Sequence, residues 1–460
     1  MKSQTNPLNP LLALSPLDGR YAKKAAVLSD YFSEAALFKY RVHVEMEWFI
    51  SLLESKALNL GCAFTAEDKA YCKSLFSHFQ LDDAEKIKEI EKTTQHDVKA
   101  VEYFIKEKFA GNTNLSAAKE WVHFACTSED INNTAYALMF QNFRNAVLVP
   151  KLKALIEIIK KLAIENKTKS LLALTHGQSA SPTTLGKELA NIVARLEHAL
   201  LAIEAVAFRA KLNGAVGNYN AHHVAFPQYD WQSHSAQVLR GMGLQQNAFT
   251  TQIDPHDDLA TFCDAVARFH TILLDASRDL WGYISRGIFK LKKVAGEVGS
   301  STMPHKVNPI HFENAEGNLG LANALLHHFS SKLPVSRYQR DLSDSVVLRS
   351  VGSALGYGYL AYEAFIEGLN RLSVNDEKLL EELNDHYEVL AEAVQTVMRR
   401  LGLDTPYEQL KALTQGEKLT QSRYEAFLND LSLPENEKKR LKAMRPQDYI
   451  GLAAELVEKL

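Results

Sequence analysis

The sequence predicts an all-α protein built around a bundle of long helices, and three observations carry that reading. Gly 22 and Pro 13 in a chain of 460 residues put the two strongest helix breakers below their average usage of about 7% and 5%. Apolar residues recur at three- and four-residue spacing over stretches longer than an ordinary surface helix. Strand-like alternation is scarce, and short candidates such as Thr250-Thr251-Gln252-Ile253 sit between turn residues.

Taken in order, the first long element is Pro150 to Asn166, with Leu152, Leu155, Ile156, Ile159 and Leu162 on one face and Pro150 acceptable near a helix start. Gly186 to Leu212 reads as a single helix through Leu189, Ile192, Val193, Leu196, Leu200, Ile203 and Ala207. Asp257 to Ile284 repeats the pattern with Leu259, Phe262, Val266, Phe269, Leu273, Ala276 and Leu280. Helices beyond about 25 residues belong to bundles, coiled coils or membrane spans, and the interspersed charges exclude the last. Polar turn residues at Asn112-Thr113-Asn114 and Ser373-Val374-Asn375 mark boundaries. They give an N-terminal helical domain 1–114, a central long-helix domain 115–373 and a small C-terminal helical domain 374–460. The last is punctuated by Gly402, Pro406, Gly416, Pro434 and Pro446.

A net charge of -3 and a pI near 6.6 leave no basic field to attract nucleic acid or anionic lipid. Small-molecule chemistry is favoured instead. The four cysteines, Cys62, Cys72, Cys126 and Cys263, lack the paired spacing of a zinc site or disulfide framework. Leu11 to Leu14 is too short for a signal-peptide core, and no uncharged apolar run approaches the ~18 residues of a membrane span. The expectation is a soluble, cytoplasmic chain with no membrane or nucleic-acid partner.

Five segments concentrate polar chemistry. Gly299-Ser300-Ser301-Thr302-Met303-Pro304-His305-Lys306-Val307-Asn308 breaks the helical pattern with a loop whose amides, Lys306 and Asn308 suit a carboxylate-rich ligand. The alternative is a plain helix connection capped by Ser300 or Ser301. Thr175-His176-Gly177-Gln178 offers a turn histidine, and an imidazole titrates near neutrality; the alternative is a solvated loop histidine. Thr94-Gln95-His96-Asp97 and Cys126-Thr127-Ser128-Glu129-Asp130 cluster small donors beside charges, which helix capping by Thr94, Thr127 or Ser128 also explains. Arg337 to Arg349, with Arg340 and Ser345 within it, places arginines at a helix start, a plausible phosphate cradle. Far upstream, Ser15-Pro16-Leu17-Asp18-Gly19-Arg20-Tyr21 adds another arginine beside an aromatic ring.

Together these segments resemble the bacterial adenylosuccinate lyases of the fumarase/aspartase superfamily over essentially the whole chain. The loop fits the superfamily pattern Gly-Ser-Ser-x-Met-Pro-x-Lys-x-Asn at every fixed position. The matches at Ser15 to Tyr21, Thr93 to Ala100 and Thr127 to Asn133 select the adenylosuccinate branch. The resemblance implies a three-domain fumarase/aspartase-like fold whose long helices assemble into a homotetramer core with sites shared between subunits. It implies carbon–nitrogen lyase chemistry in purine biosynthesis: adenylosuccinate cleaved to AMP and fumarate, and succinylaminoimidazole carboxamide ribotide to the carboxamide (AICAR) and fumarate. Ser300 would be the base, His176 the acid and Glu313 the carboxylate that orients it, with His96 and Lys306 assisting. The nucleotide substrates would contact Arg20, Tyr21, Gln95, His96, Asp97, Thr127, Ser128, Gln252, Ser301, Met303, Lys306, Asn308, Asn314, Arg340, Ser345 and Arg349. No metal or organic cofactor is implied.

Chemistry alone would choose His176 as the base, because a serine hydroxyl is a very weak one. The family assignment reverses this and requires the Ser300 alkoxide to be stabilised by a cation and amide donors. The family often has proline after His176-Gly177-Gln178, where Ser179 stands here. Two other readings stay open on the sequence, another fumarate-releasing enzyme such as argininosuccinate lyase and a catalytically silent structural tetramer.

Overall fold

A computed structural model describes residues 9–292, 296, 302–303, 306–414 and 419–460; Ser300 and Ser301 lie outside the described residues. Helices dominate, and the only strands among the described residues are two- and three-residue pieces in four small ladders. Six helices among the described residues run to 17 residues or more: Glu34–Glu54, Val149–Glu165, Leu185–Glu204, Asp257–Ser285, Ile310–Lys332 and Val351–Asn370. In the longest, Phe262, Val266, Phe269 and Leu273 are fully buried, so the apolar spacing read from the sequence is the packing stripe. Among the short helices after Val374, Ala391–Arg400, Gln421–Asp430 and Glu435–Ala443 end shortly before Gly402, Pro434 and Pro446.

One element departs from expectation. The helix begun at Leu185 stops at Glu204 instead of running to Leu212. Beyond it the buried apolar residues are Val206, Phe208, Ala210 and Leu212, a two-residue period, and Ala207 is exposed. That period belongs to extended chain, and Arg209–Ala210 pairs in parallel with Gln245–Gln246. The few apolar residues after Ile203 satisfied both periods on paper. Buried contacts chose the extended one.

The chain divides into two compact units. The first comprises the residues up to Leu152, Ala199–Thr271 and Gly317–Ala361; the second comprises Lys153–His198, Ile272–Glu316 and Tyr362–Leu460. In the first, Phe38, Val42, Phe49, Ile87, Val101, Phe104 and Phe109 form a core against the Glu34–Glu54 helix. Its most demanding buried group is Lys211, 0% exposed, whose Nζ donates to the Gly214 carbonyl at 2.8 Å and faces Asp130 Oδ1 at 3.1 Å. Asp130 also accepts the N–H groups of Thr127, Asn213 and Gly214, so the buried charges are paired and hydrogen-bonded, as burial demands. In the second unit, Leu390, Val394, Met398, Tyr424, Leu428 and Leu441 make a separate core. Phe289–Leu291 pairs antiparallel with Leu372–Val374 there.

Candidate active site

In the first unit, segments far apart in sequence converge on one chain of charges. Gln95, in the left-handed region at φ 51, closes the Leu81–Thr94 helix, and the next residue but one begins Asp97–Lys108. His96 caps that new helix, its Nδ1 accepting the Lys99 N–H at 3.2 Å. The cap offered for Thr94 as the alternative reading belongs to His96, whose other nitrogen stands 3.5 Å from Ser128 Oγ. Asp97 Oδ2 is shared by Arg41 at 2.8 Å and Arg349 at 2.9 Å. Burial raises the Asp97 pKa, but the two guanidinium groups and the Val98 amide more than offset this and hold it below the ordinary carboxylate value.

From Arg41 the chain continues through Asn132, which accepts from Nε at 2.8 Å and donates to Glu129 Oε1 at 3.0 Å. The same carboxylate faces Arg340 at 3.3 Å, and Arg340 Nη1 reaches Gln252 Oε1 at 3.4 Å. Thr127 stands at the start of the Ser128–Phe143 helix, its N–H donated to Asp130 at 2.7 Å. His96, Asp97, Thr127, Ser128, Gln252, Arg340 and Arg349 are thus brought to linked stations within one unit. Ser345 is half-buried in the short helix Ser343–Leu348, beside the buried Asp344. Arg20 is exposed over the Tyr21 ring at 5.8 Å. Gly19 precedes them of necessity, since a Cβ there would meet the Pro10 carbonyl oxygen at 2.7 Å.

Sequence reasoning missed Arg41, the hub of this network. A signal existed, since Arg41 falls at helical spacing with Leu37, Val44 and Trp48, the face that is buried. It also missed His256 and Asp344, which with Glu129 bring donor atoms within 4.8 Å of one another. A histidine with two carboxylates is a set that suits divalent cations. Here Arg340 and the His256–Asp344 pair already engage its charges, so we assign it no metal.

The second unit holds the residues expected to do the chemistry. Leu174–Thr175 and Gln178–Ser179 form a two-residue hairpin, with His176 at φ 55 and Gly177 at φ 74. Positive φ at both positions is the turn such hairpins require. His176 is presented at the exposed tip and makes no hydrogen bond among the described residues. Ser179 pairs with Leu174 at a site between the hydrogen-bonded pairs, as the Ala180 N–H bond to the Ala173 carbonyl shows. Its N–H is therefore unused in the ladder, which is why either serine or proline fits there. The Ser179 hydroxyl lies 3.0 Å from His386 Nδ1.

Lys306 and Met303 are exposed, and the Lys306 N–H donates to the Met303 carbonyl at 3.0 Å. Asn308 is half-buried just before the Ile310–Lys332 helix. Glu313, in the first turn of that helix, accepts the Trp281 indole N–H at 3.1 Å, with Asn314 exposed beside it. Within one chain, then, Glu313 hydrogen-bonds Trp281 and not His176.

Comparison with known proteins places this arrangement. The fold is shared with the 3-carboxy-cis,cis-muconate lactonizing enzyme of Pseudomonas putida, at TM-score 0.71 and 19% identity over 94% of this chain and 96% of that one. Residues 19–323 match the family described as lyase, and residues 336–450 match the one described as adenylosuccinate lyase C-terminal. The adenylosuccinate lyase of Escherichia coli K12 is 51% identical over 453 residues, covering 98% of this chain and 99% of that one. That of Haemophilus influenzae is 52% identical over 453 residues, again 98% and 99%. The chain belongs to the adenylosuccinate lyase family.

Proposed function

We propose that this enzyme eliminates fumarate from adenylosuccinate, leaving AMP, and from succinylaminoimidazole carboxamide ribotide, leaving the carboxamide. The observation that carries the reading is identity of about half to adenylosuccinate lyases over 98% of the chain. The chemistry removes a proton from the carbon beside one succinyl carboxylate and breaks the carbon–nitrogen bond, whose electron pair leaves on the base nitrogen. Ser300 takes the proton and His176 supplies one to the departing nitrogen. Lys306, Asn308 and the loop amides hold the carboxylates and the charge that develops between them; Ser301, Met303 and Asn314 line the same end.

Arg20, Tyr21, Arg340, Ser345 and Arg349 hold the phosphate, while Gln95, His96, Asp97, Thr127, Ser128 and Gln252 fix the rest of the nucleotide. The linkage of Asp97, Arg349, Arg340 and Gln252 within one unit supports this division. The exposed His176 tip and the engagement of Glu313 with Trp281 support an acid oriented by a carboxylate from another subunit, in a homotetramer with shared sites. Domains 1–114, 115–373 and 374–460 and a cytoplasmic location complete the reading, and no helix among the described residues is long and apolar enough to cross a membrane.

Turnover of adenylosuccinate, the imidazole ribotide and argininosuccinate, compared through fumarate release, tests it. The first two are consumed and the third is not; release from argininosuccinate alone would overturn the reading.

A further inference from the structure

His256 is a buried histidine held in the left-handed region at φ 59, a conformation that costs free energy for any side chain larger than glycine and is kept only where surroundings enforce it. Its own loop supplies one restraint, the His256 N–H donated to Asp254 Oδ2 at 3.0 Å, while Asn247 holds the other oxygen of Asp254 at 2.8 Å. The ring then faces carboxylates from two further segments. Asp344 Oδ2, in the first turn of Ser343–Leu348, lies 3.5 Å from Nε2. Glu129, in the first turn of Ser128–Phe143, completes the cluster within 4.8 Å. Among the described residues, Glu129 Oε2 and Asp344 Oδ1 are buried with no hydrogen-bond partner. Buried carboxyl groups are held by a proton or by a cation; burial raises the pKa of Glu129, whereas at Asp344 burial is more than offset by the His256 contact, which holds the carboxyl below its ordinary value.

The cations available are the Arg340 guanidinium, 3.3 Å from Glu129, and the imidazolium of His256. Arg340 is the group that also reaches Gln252 at 3.4 Å. We infer that His256 is a positioning residue: as an imidazolium it neutralises Asp344 and Glu129, so that Arg340 is left pointing at the nucleotide and Gln252 is held beside it. This rests on the reading of Gln252 and Arg340 as substrate contacts. It adds a residue two segments removed from the substrate that sets how tightly the nucleotide end is held. Burial lowers the pKa of His256, but Asp344, Glu129 and Asp254 facing it from three sides more than offset burial and raise it above the ordinary imidazole value. The imidazolium, and with it the posture of Arg340, is therefore present at low and neutral pH and is lost as pH rises through that raised value.

KM and kcat for adenylosuccinate, followed across the neutral to alkaline range, test the assignment. For the unaltered enzyme KM rises on the alkaline side while the chemical step does not share that transition. His256→Asn, whose side chain tolerates the left-handed backbone and carries no charge, raises KM about tenfold at neutral pH with kcat little changed, the size of one charge-assisted interaction. Its KM no longer varies over that range. Asp344→Asn removes one of the three carboxylates and moves the KM rise to lower pH, which decides the matter even if His256→Asn does not fold. A KM profile of either variant that superimposes on the unaltered one would overturn the inference. AMP binding, titrated by calorimetry over the same pH range, needs no turnover. PH-dependent AMP affinity that vanishes in His256→Asn, in an enzyme that releases no fumarate from adenylosuccinate, would sink the functional reading and keep this one; turnover without that dependence would do the reverse.

Discussion

The two units of the chain prepare their polar groups in opposite ways. In the first, the charges are spent on each other: Arg349, Asp97, Arg41, Asn132, Glu129, Arg340 and Gln252 are joined in sequence by contacts of 2.8 to 3.4 Å. In the second, His176 sits at an exposed hairpin tip and Lys306 is exposed. The difference teaches where a single chain can preorganise a site. A network of this kind keeps its geometry through mutual neutralisation, so the phosphate contacts proposed for Arg340 and Arg349 can be in place before substrate arrives. An acid that must meet a leaving group has to remain accessible, and its orientation can be supplied on assembly.

If this contrast holds, the largest effect falls on the second unit and its loop. Ser300→Ala and His176→Asn each lower kcat by about a thousandfold or more while a substrate-binding titration stays near normal. Near-normal turnover in either variant would remove that residue from the mechanism.

In the first unit, substitutions at the buried ion pairs should also read out as stability. Lys211→Met leaves the buried Asp130 without its cation and lowers unfolding free energy by about 3 to 5 kcal/mol, measured by denaturant titration. Asp97→Asn costs about 2 kcal/mol, less because Asp97 is 23% exposed. Because the folded pKa of Asp97 is depressed, its contribution is present above the unfolded carboxylate value of about 3.9 and is lost as pH falls through the folded value. Melting temperatures of the unaltered protein therefore converge toward those of Asp97→Asn in strong acid. The smallest effect is Ser179→Pro, which removes a hydroxyl near His386 but no ladder hydrogen bond. Turnover within about twofold of normal is expected, and a large loss would mean that the His176 turn depends on that hydroxyl.

What the sequence disclosed follows the range of the interactions involved. The Asp257–Ser285 helix was legible because its buried stripe is a local repeat. So was the His176–Gly177 turn, because glycine takes positive φ freely and histidine takes it more readily than most residues. Past Ile203 too few apolar residues remained to separate a helical from an extended period, and the pairing of Arg209–Ala210 with Gln245–Gln246 is not a local fact. Segments around His96, Thr127 and Arg340 were visible as motifs. The residues that tie them together were not, since Arg41 finds Asp97 and Asn132 across 56 and 91 residues. His256 finds Asp344 across 88. Of the caps offered as alternatives, Thr127 does cap its helix, whereas at Thr94 the left-handed Gln95 moves the helix start by two residues, to His96.

Mixing tests the shared site most directly. Ser300→Ala and His176→Asn enzymes, each inactive alone, are combined, dissociated and reassembled, and fumarate release from adenylosuccinate is measured. Turnover in the mixture, where one chain's acid meets another chain's base, is the predicted result. A mixture as inactive as its components, with reassembled tetramers confirmed by light scattering, would contradict the division of labour between subunits.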